Sequence, residues 1–166
     1  MRTALAFMLV ALGVSAPVFS QSASPDRQFV IDAAIGGMAQ VELGKLAAAK
    51  SANPGVRAFG QQMVADHTRA NDELKRIAAL NNVPWPSGVS SADQSTLDRL
   101  SSLSGTAFDR AYVEEVARGH QMLITAFRRE ADGGTDAAVK TWAVKMIPML
   151  ENHLAMIEDL RKSVSS

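Results

Sequence analysis

The most constraining feature of this sequence is the spacing of its apolar residues, which recur every three or four positions along four long segments. That spacing places apolar side chains on one side of an α-helix, and none of the segments shows the two-residue alternation of a β-strand. A cap residue followed by proline, a common helix start, precedes the first two segments at Ser24-Pro25 and Asn53-Pro54. The sequence predicts an all-α protein with helices over about residues 25–51, 54–81, 107–131 and 136–162.

The connections between these helices predict how the helices are arranged. The first pair and the last pair are joined by short turns, whereas residues 82–105 form a long connection rich in serine and proline, with a short helix expected around 92–103. Such a connection is long enough to reach from one end of a 25-residue helix to the other, a distance of roughly 37 Å. We therefore predict a ferritin-like four-helix bundle, in which a long crossover with a short helix joins helices 2 and 3.

The first 20 residues predict export. Arg2 gives a positive start, residues 4–14 form an uncharged apolar run, and small residues precede a cleavage point before Gln21. The run is shorter than the roughly 20 residues needed to span a bilayer, so we interpret it as a signal peptide and not as a membrane anchor. Residues 21–166 have the size of a single domain, which we expect in the periplasm without a transmembrane segment.

The composition argues against several classes of function. Once Arg2 is removed, 16 basic residues face 17 acidic ones, so the chain lacks the positive excess that nucleic-acid binding needs. The absence of cysteine excludes disulfides and a lipid-modified cysteine. No nucleophile stands in a recognisable catalytic pattern and no glycine-rich phosphate loop is present, so we predict no catalytic residues.

All three histidines of the chain fall on predicted apolar faces. His67 is in register with Phe59, Met63 and Leu74 on the second helix, and the other two histidines are placed in the same way on the third and fourth helices. On the first helix Glu42 shares a side with Ile31, Ile35, Met38, Leu46 and Ala49. Each helix is thus predicted to offer one polar group to the interior, and these groups are Glu42, His67, His120 and His153.

Positions along the helices predict which of these groups meet. Glu42 and His67 each lie roughly 18 to 20 Å from the first turn, and His120 reaches a similar level in the crossover arrangement. His153 falls about one and a half turns away, so it joins the layer only if Pro148 bends the fourth helix.

Imidazole and carboxylate groups that meet inside a bundle are ligands for zinc, copper or iron. The four residues therefore predict a site for a divalent transition metal or a small ligand. The alternative is a structural or interaction protein, in which the same groups form a buried hydrogen-bond network that fixes helix packing, with Glu42 paired to Lys45 at the boundary.

The fourth helix offers a weaker candidate. Met146, Met149 and Met156 stand on one stripe with His153, and thioethers with imidazole bind Cu(I), although methionines also simply fill bundle cores. A carboxylate-bridged dinuclear iron site is not predicted, because glutamate should precede histidine by three residues on two helices. Val64 and Leu150 occupy those positions.

Three stretches together resemble a large family of exported bacterial proteins that carry a domain of unknown function. They are GMAQVELGKLAAAKSANPGVRAFGQQMVADHTRANDEL, FDRAYVEEVARGH and MIPMLENHLAMI. Members are often labelled outer membrane proteins and are grouped with ferritin-like bundles. The resemblance covers about residues 26–160 and implies this fold and export, but no reaction. The positions that match the family pattern are Glu42, Asp66, His67, Phe108, Asp109, Tyr112, His120 and His153.

Overall fold

The structure is a computed structural model that describes residues 24–165, and helices account for most of that range. The helices are α1 (Pro25–Lys50), α2 (Pro54–Leu80), α3 (Ser91–Ser101), α4 (Gly105–Gly133) and α5 (Ala137–Ser165). Between residues 24 and 165 there is no β-strand, which confirms the all-α prediction. The predicted signal peptide, residues 1–20, lies outside the described residues.

Local sequence explains where most of these helices begin. Ser24 accepts a hydrogen bond from Arg27 N at 3.2 Å, and Asn53 accepts from Gly55 N at 2.8 Å, so each cap satisfies a free N–H of the first turn. The cap of α5 is Asp136, which accepts from the backbone of residues 138 and 139. The neighbouring Thr135 directs its hydroxyl to Asp26 on α1.

The long crossover between the second and third long helices is confirmed. At one end of the bundle Arg27 Nη1 donates to Asn82 O at 2.9 Å, which places the end of α2 beside the start of α1. At the other end Asn53 N donates to Asp109 Oδ2 at 3.2 Å, which places the start of α4 beside the α1–α2 turn. Residues 81–104 must therefore run the length of the bundle, and α3 lies on α1 and α4 along the way.

The helices pack as two hairpins. α1 packs along α2 and α4 packs along α5, and these contacts are more extensive than the α2–α5 and α1–α4 contacts between hairpins. Within the first hairpin Gly44 and Gly60 bring two backbones together. A Cβ added at either glycine would lie 2.7 Å from the carbonyl oxygen of the other.

A buried acidic group joins the start of α1 to the α4–α5 turn. Asp26 accepts hydrogen bonds from Thr135 N at 2.9 Å and from Asp136 N at 3.2 Å, and also from the Thr135 hydroxyl. These bonds lower the pKa of Asp26, with the Thr135 hydroxyl contributing most. Burial, together with the Asp26 carboxylate, raises the pKa of the neighbouring Glu130 to about 7.

The apolar core is divided into two parts by the level of the histidines. One part, toward the Asp26 end, contains Leu74, Ile124 and Leu150, and the other, toward the Asp109 end, contains Met63, Val116 and Ile157. His67, His120 and His153 each stand between members of the two parts on their own helix. Within residues 24–165, no helix combines the length and apolar content that crossing a bilayer requires.

Candidate metal centre

The three histidines come together in the middle of the bundle. His67 on α2 is 3% exposed, and His120 on α4 and His153 on α5 are both fully buried. The ring centroids are 5.4 Å apart for His67 and His153, 5.5 Å for His120 and His153, and 5.7 Å for His67 and His120. One nitrogen from each ring lies within 4.8 Å of the others. The three imidazoles therefore form a triangle that joins the two hairpins.

One nitrogen of each of the three rings has no hydrogen-bond partner. These nitrogens are His67 Nε2, His120 Nε2 and His153 Nδ1, all of them buried. Buried polar atoms in proteins are nearly always hydrogen-bonded, because an unpaired one loses its hydration without compensation. Three such atoms in one small space are the clearest chemical anomaly among the described residues.

Contacts outside the triangle determine the tautomers of two of the rings. The distance from His153 Nε2 to Asp66 Oδ2 is 3.0 Å, and the distance from His120 Nδ1 to the Val116 carbonyl oxygen is also 3.0 Å. A carboxylate and a carbonyl only accept, so these two ring nitrogens carry the hydrogen. When the rings are neutral, the other two nitrogens, His153 Nδ1 and His120 Nε2, carry the lone pairs.

Burial keeps two of the rings, His67 and His120, neutral. Desolvation lowers the pKa of His67 well below its usual value of 6.5, and the nearby His120 and His153 lower it further. Desolvation also lowers the pKa of His120 to about 4, against the opposing effect of its bond to the Val116 carbonyl. Neutral imidazole is the form that binds a metal ion, so these two rings need lose no proton to do so at neutral pH.

The sequence matches one protein-family model over most of its length. The profile described as Domain of unknown function (DUF4142) matches residues 14–160. The chain belongs to the DUF4142 family. This confirms the resemblance to a domain-of-unknown-function family. None of the curated proteins compared with the chain matches it.

Two crystal structures show the same fold as this DUF4142 chain. One is a DUF305 protein from Streptomyces coelicolor, described as a candidate secreted protein, with a TM-score of 0.74 and 16% identity, covering 87% of this chain and 96% of that one. The other is a conserved hypothetical protein from Mycobacterium tuberculosis, with a TM-score of 0.63 and 16% identity, covering 84% and 92%. At this identity the likeness extends to the fold alone.

Glu42 does not lie with the histidines, so its predicted place in the site is wrong. Its side chain is 46% exposed and accepts a hydrogen bond from Lys45 Nζ at 2.8 Å. The physical reason is that α1 of the DUF4142 chain is apolar on several sides and buries its smallest residues, among them Gly37 and Gly44. The inner face of this helix was predicted from its larger apolar side chains and Ala49. Of these, Ala49 is exposed, and the others are only half-buried: Ile31, Ile35, Met38 and Leu46.

His153 joins the layer, contrary to the level predicted from the sequence. Thirteen residues separate His120 from the end of α4 at Gly133, and sixteen separate the start of α5 at Ala137 from His153. The difference of three residues is about 4.5 Å, less than one turn. The prediction failed because α4 continues two residues beyond its expected end and α5 starts one residue later. Pro148 lies inside α5 at the preceding turn.

The methionine stripe is divided between two regions. Met146 and Met149 line a small cavity that His67 also lines. Met156 packs in the other half of the core, and its sulfur lies 3.7 Å from Asn152 Nδ2. The three thioethers and His153 therefore do not converge on a single metal position, although Met146 and Met149 lie close to the histidine layer.

Asp66 matches the family pattern, but its contact with His153 was not predicted from the sequence. Its place next to His67 in the sequence turns it away from the triangle. The structure shows that Asp66 faces α5, where its Oδ2 lies 3.0 Å from His153 Nε2, while its Oδ1 accepts a hydrogen bond from Arg69 Nη2 of α2 at 2.9 Å. A carboxylate adjacent to an inward histidine was the available signal, because metal-binding histidines commonly have such outer partners.

Proposed function

We propose that this protein is an exported, periplasmic metal-binding bundle that holds one divalent transition metal ion between His67 Nε2, His120 Nε2 and His153 Nδ1. The observation that carries the proposal is the convergence of three buried, unpartnered nitrogens, two of which have their lone pairs turned inward by Asp66 and Val116. Without a bound species these atoms remain unsatisfied.

The donor set indicates the class of ion. Three imidazoles suit zinc, copper, nickel or iron, whereas magnesium and calcium prefer oxygen ligands. Zinc with bonds of about 2.0 to 2.1 Å would require nitrogen separations near 3.4 Å. The nitrogens lie within 4.8 Å of one another, so movements of about 1 Å or less in each ring close the triangle around an ion.

Export is part of the proposal because the leader sequence, residues 1–20, is the feature that supports it. A periplasmic location fits a site built only from histidine in a chain without cysteine. Cysteine ligands can be oxidised to disulfides, whereas histidine ligands cannot. The site is therefore compatible with an oxidising compartment.

The experiment is elemental analysis of untagged protein released from the periplasm, combined with thermal unfolding in chelator and after addition of zinc. The proposal predicts about one metal ion per chain, a higher Tm with zinc and a lower Tm with chelator, because an ion that binds only the folded state stabilises it by mass action. His120→Asn should lose the ion and the zinc response, whereas Gln121→Ala, an exposed neighbour, should keep both.

The alternative, a hydrogen-bond network that only fixes helix packing, predicts a different result. His120→Asn would then lower the Tm by the same amount with and without chelator. The metal-binding proposal would be overturned if the purified protein contained no stoichiometric metal and its Tm did not change on addition of zinc, copper or nickel.

A further inference from the structure

The histidine layer is closed on one side. Toward the Asp109 end of the bundle, the residues one turn from each histidine are Met63 on α2, Val116 on α4 and Ile157 on α5, and all three are fully buried. The Phe59 ring also packs edge-on against His153, with ring centroids 5.9 Å apart. A ligand bound to an ion in the triangle has no space on that side.

On the opposite side lies a cavity of about 20 Å³. The residues that line it come from all four long helices, and several stand one turn from a histidine: Asn71 from His67, Leu123 from His120, and Met149 from His153. His67 itself lines the cavity. A space of this size holds about one water molecule, so the histidine layer opens toward room for a single small ligand.

Two of the residues that line this cavity, Asn71 and Trp142, carry hydrogen-bond donors. The Asn71 amide fills the space above Gly37, where an added Cβ would lie 2.0 Å from Asn71 Oδ1. Trp142 is 5% exposed, and its Nε1–H is buried with no hydrogen-bond partner among the described residues. The unpaired Trp142 N–H favours a ligand that accepts hydrogen bonds.

Charge also favours an anion. Neutral imidazoles leave the two positive charges of a divalent ion without compensation inside an apolar core, which is costly. The nearest carboxylate, Asp66, contacts His153 and Arg69 and lies outside the triangle. A metal site with three protein ligands also typically keeps its fourth position for water or another external ligand.

We propose that the fourth coordination position of the metal opens into this cavity and takes one small anion, either hydroxide or a diatomic anion, with Asn71 donating a hydrogen bond to it. The inference rests on the proposed function, since it needs an ion in the triangle. It adds the chemical class of the external ligand and a size limit, set by Met149 and its neighbours in the cavity wall.

The test uses the full mature chain loaded with Co(II), whose visible absorption reports coordination, and two probes added without oxygen: cyanide as a diatomic anion and imidazole as a bulkier ligand. The wild-type spectrum should change with cyanide, saturate at one equivalent per cobalt and keep the cobalt after gel filtration. Imidazole should leave the spectrum unchanged.

Two variants locate the ligand. Met149→Ala enlarges the cavity and should admit imidazole, whereas Met156→Ala, a methionine of the same helix outside the cavity, should behave as wild type. Asn71→Leu should keep cobalt but bind cyanide at least about tenfold more weakly, the loss expected for one hydrogen bond to a charged ligand.

The outcomes separate the two proposals. Failure of Co(II) to bind the histidines overturns the proposed function itself. If Co(II) binds but cyanide leaves the spectrum unchanged or strips the metal, the inference is overturned while the metal site stands. Equal imidazole binding by wild type and Met149→Ala also overturns the inference, because the cavity would then not limit ligand size.

Discussion

Asp66 on α2 and His153 on α5 are joined across the two hairpins by a hydrogen bond of 3.0 Å between Oδ2 and Nε2. The bond leaves Nδ1 as the unpartnered nitrogen of His153, whose ring lies 5.4 Å from that of His67 and 5.5 Å from that of His120. Asp66 therefore acts on the site without belonging to the triangle, as outer partners of metal-binding histidines do.

Asp66→Ala should weaken metal binding by about ten- to a hundredfold while the fold is kept, because His153 would no longer be held in one tautomer and orientation. Affinity is measured by competition with a chelating dye. Asp72→Asn, an exposed carboxylate on the same helix, is the control and should leave the affinity unchanged. Equal affinity of Asp66→Ala and wild type would show that Asp66 does not position the ligand.

The metal-free protein should lose stability in mild acid. The pKa values of His67 and His120 lie below the usual 6.5 in the folded state, so the unfolded chain takes up more protons as the pH falls below about 6.5. The stabilising effect is present above that pH and is lost progressively down to about pH 4, the folded pKa of His120.

Urea unfolding of metal-free protein at a series of pH values measures this loss. His120→Phe removes one of the two groups and should flatten the dependence below pH 6.5. A wild-type free energy of unfolding that stays constant from pH 7 to pH 5 would contradict neutral, buried imidazoles.

Glu130 should have the opposite pH dependence. Its pKa is raised to about 7 by burial and by Asp26, so its contribution is full below the unfolded value of 4.5 and is lost as the pH rises through 7. Glu130→Gln should match wild type near pH 4 and exceed its free energy of unfolding by about 1 kcal/mol at pH 8. The control is Glu42→Gln, which removes an exposed ion pair with Lys45 and should change the free energy of unfolding little at either pH. A Glu130→Gln variant no more stable than wild type at pH 8 would refute the raised pKa.

The close approach of α1 and α2 predicts contrasting effects of two glycine substitutions. Gly60→Ala should cost about 1 to 3 kcal/mol, because its Cβ would meet Gly44 O at 2.7 Å and Ala48 N at 2.9 Å, both backbone atoms. Gly36→Ala meets only Leu123 Cδ2 at 3.5 Å and should stabilise by up to about 1 kcal/mol through helix propensity. Thermal and urea unfolding measure both, and similar effects of the two changes would disprove the contact.

The sequence predicted the fold well because its signals are local and strong. Ser24, Asn53 and the prolines after them mark helix starts, and the length of the connection from Asn82 to Ser104 is enough to favour a crossover. The three histidines were placed in the interior correctly, since each shares a clear apolar stripe with large side chains on its own helix.

The site was predicted less completely for reasons of geometry. α1 buries glycine and alanine, so apolar periodicity gave the wrong inner face and brought Glu42 into the site. The level of His153 depends on helix ends, where an error of two residues shifts a side chain by about 3 Å. The cavity beside His67 depends on packing between four helices, which no single segment of sequence encodes.

Anomalous X-ray diffraction from crystals of zinc-loaded protein, recorded at the zinc absorption edge, tests the central claim most directly. The account predicts one strong peak about 2.0 to 2.1 Å from each of His67 Nε2, His120 Nε2 and His153 Nδ1. Ordinary water density at that point, with no anomalous peak within the triangle, would contradict it.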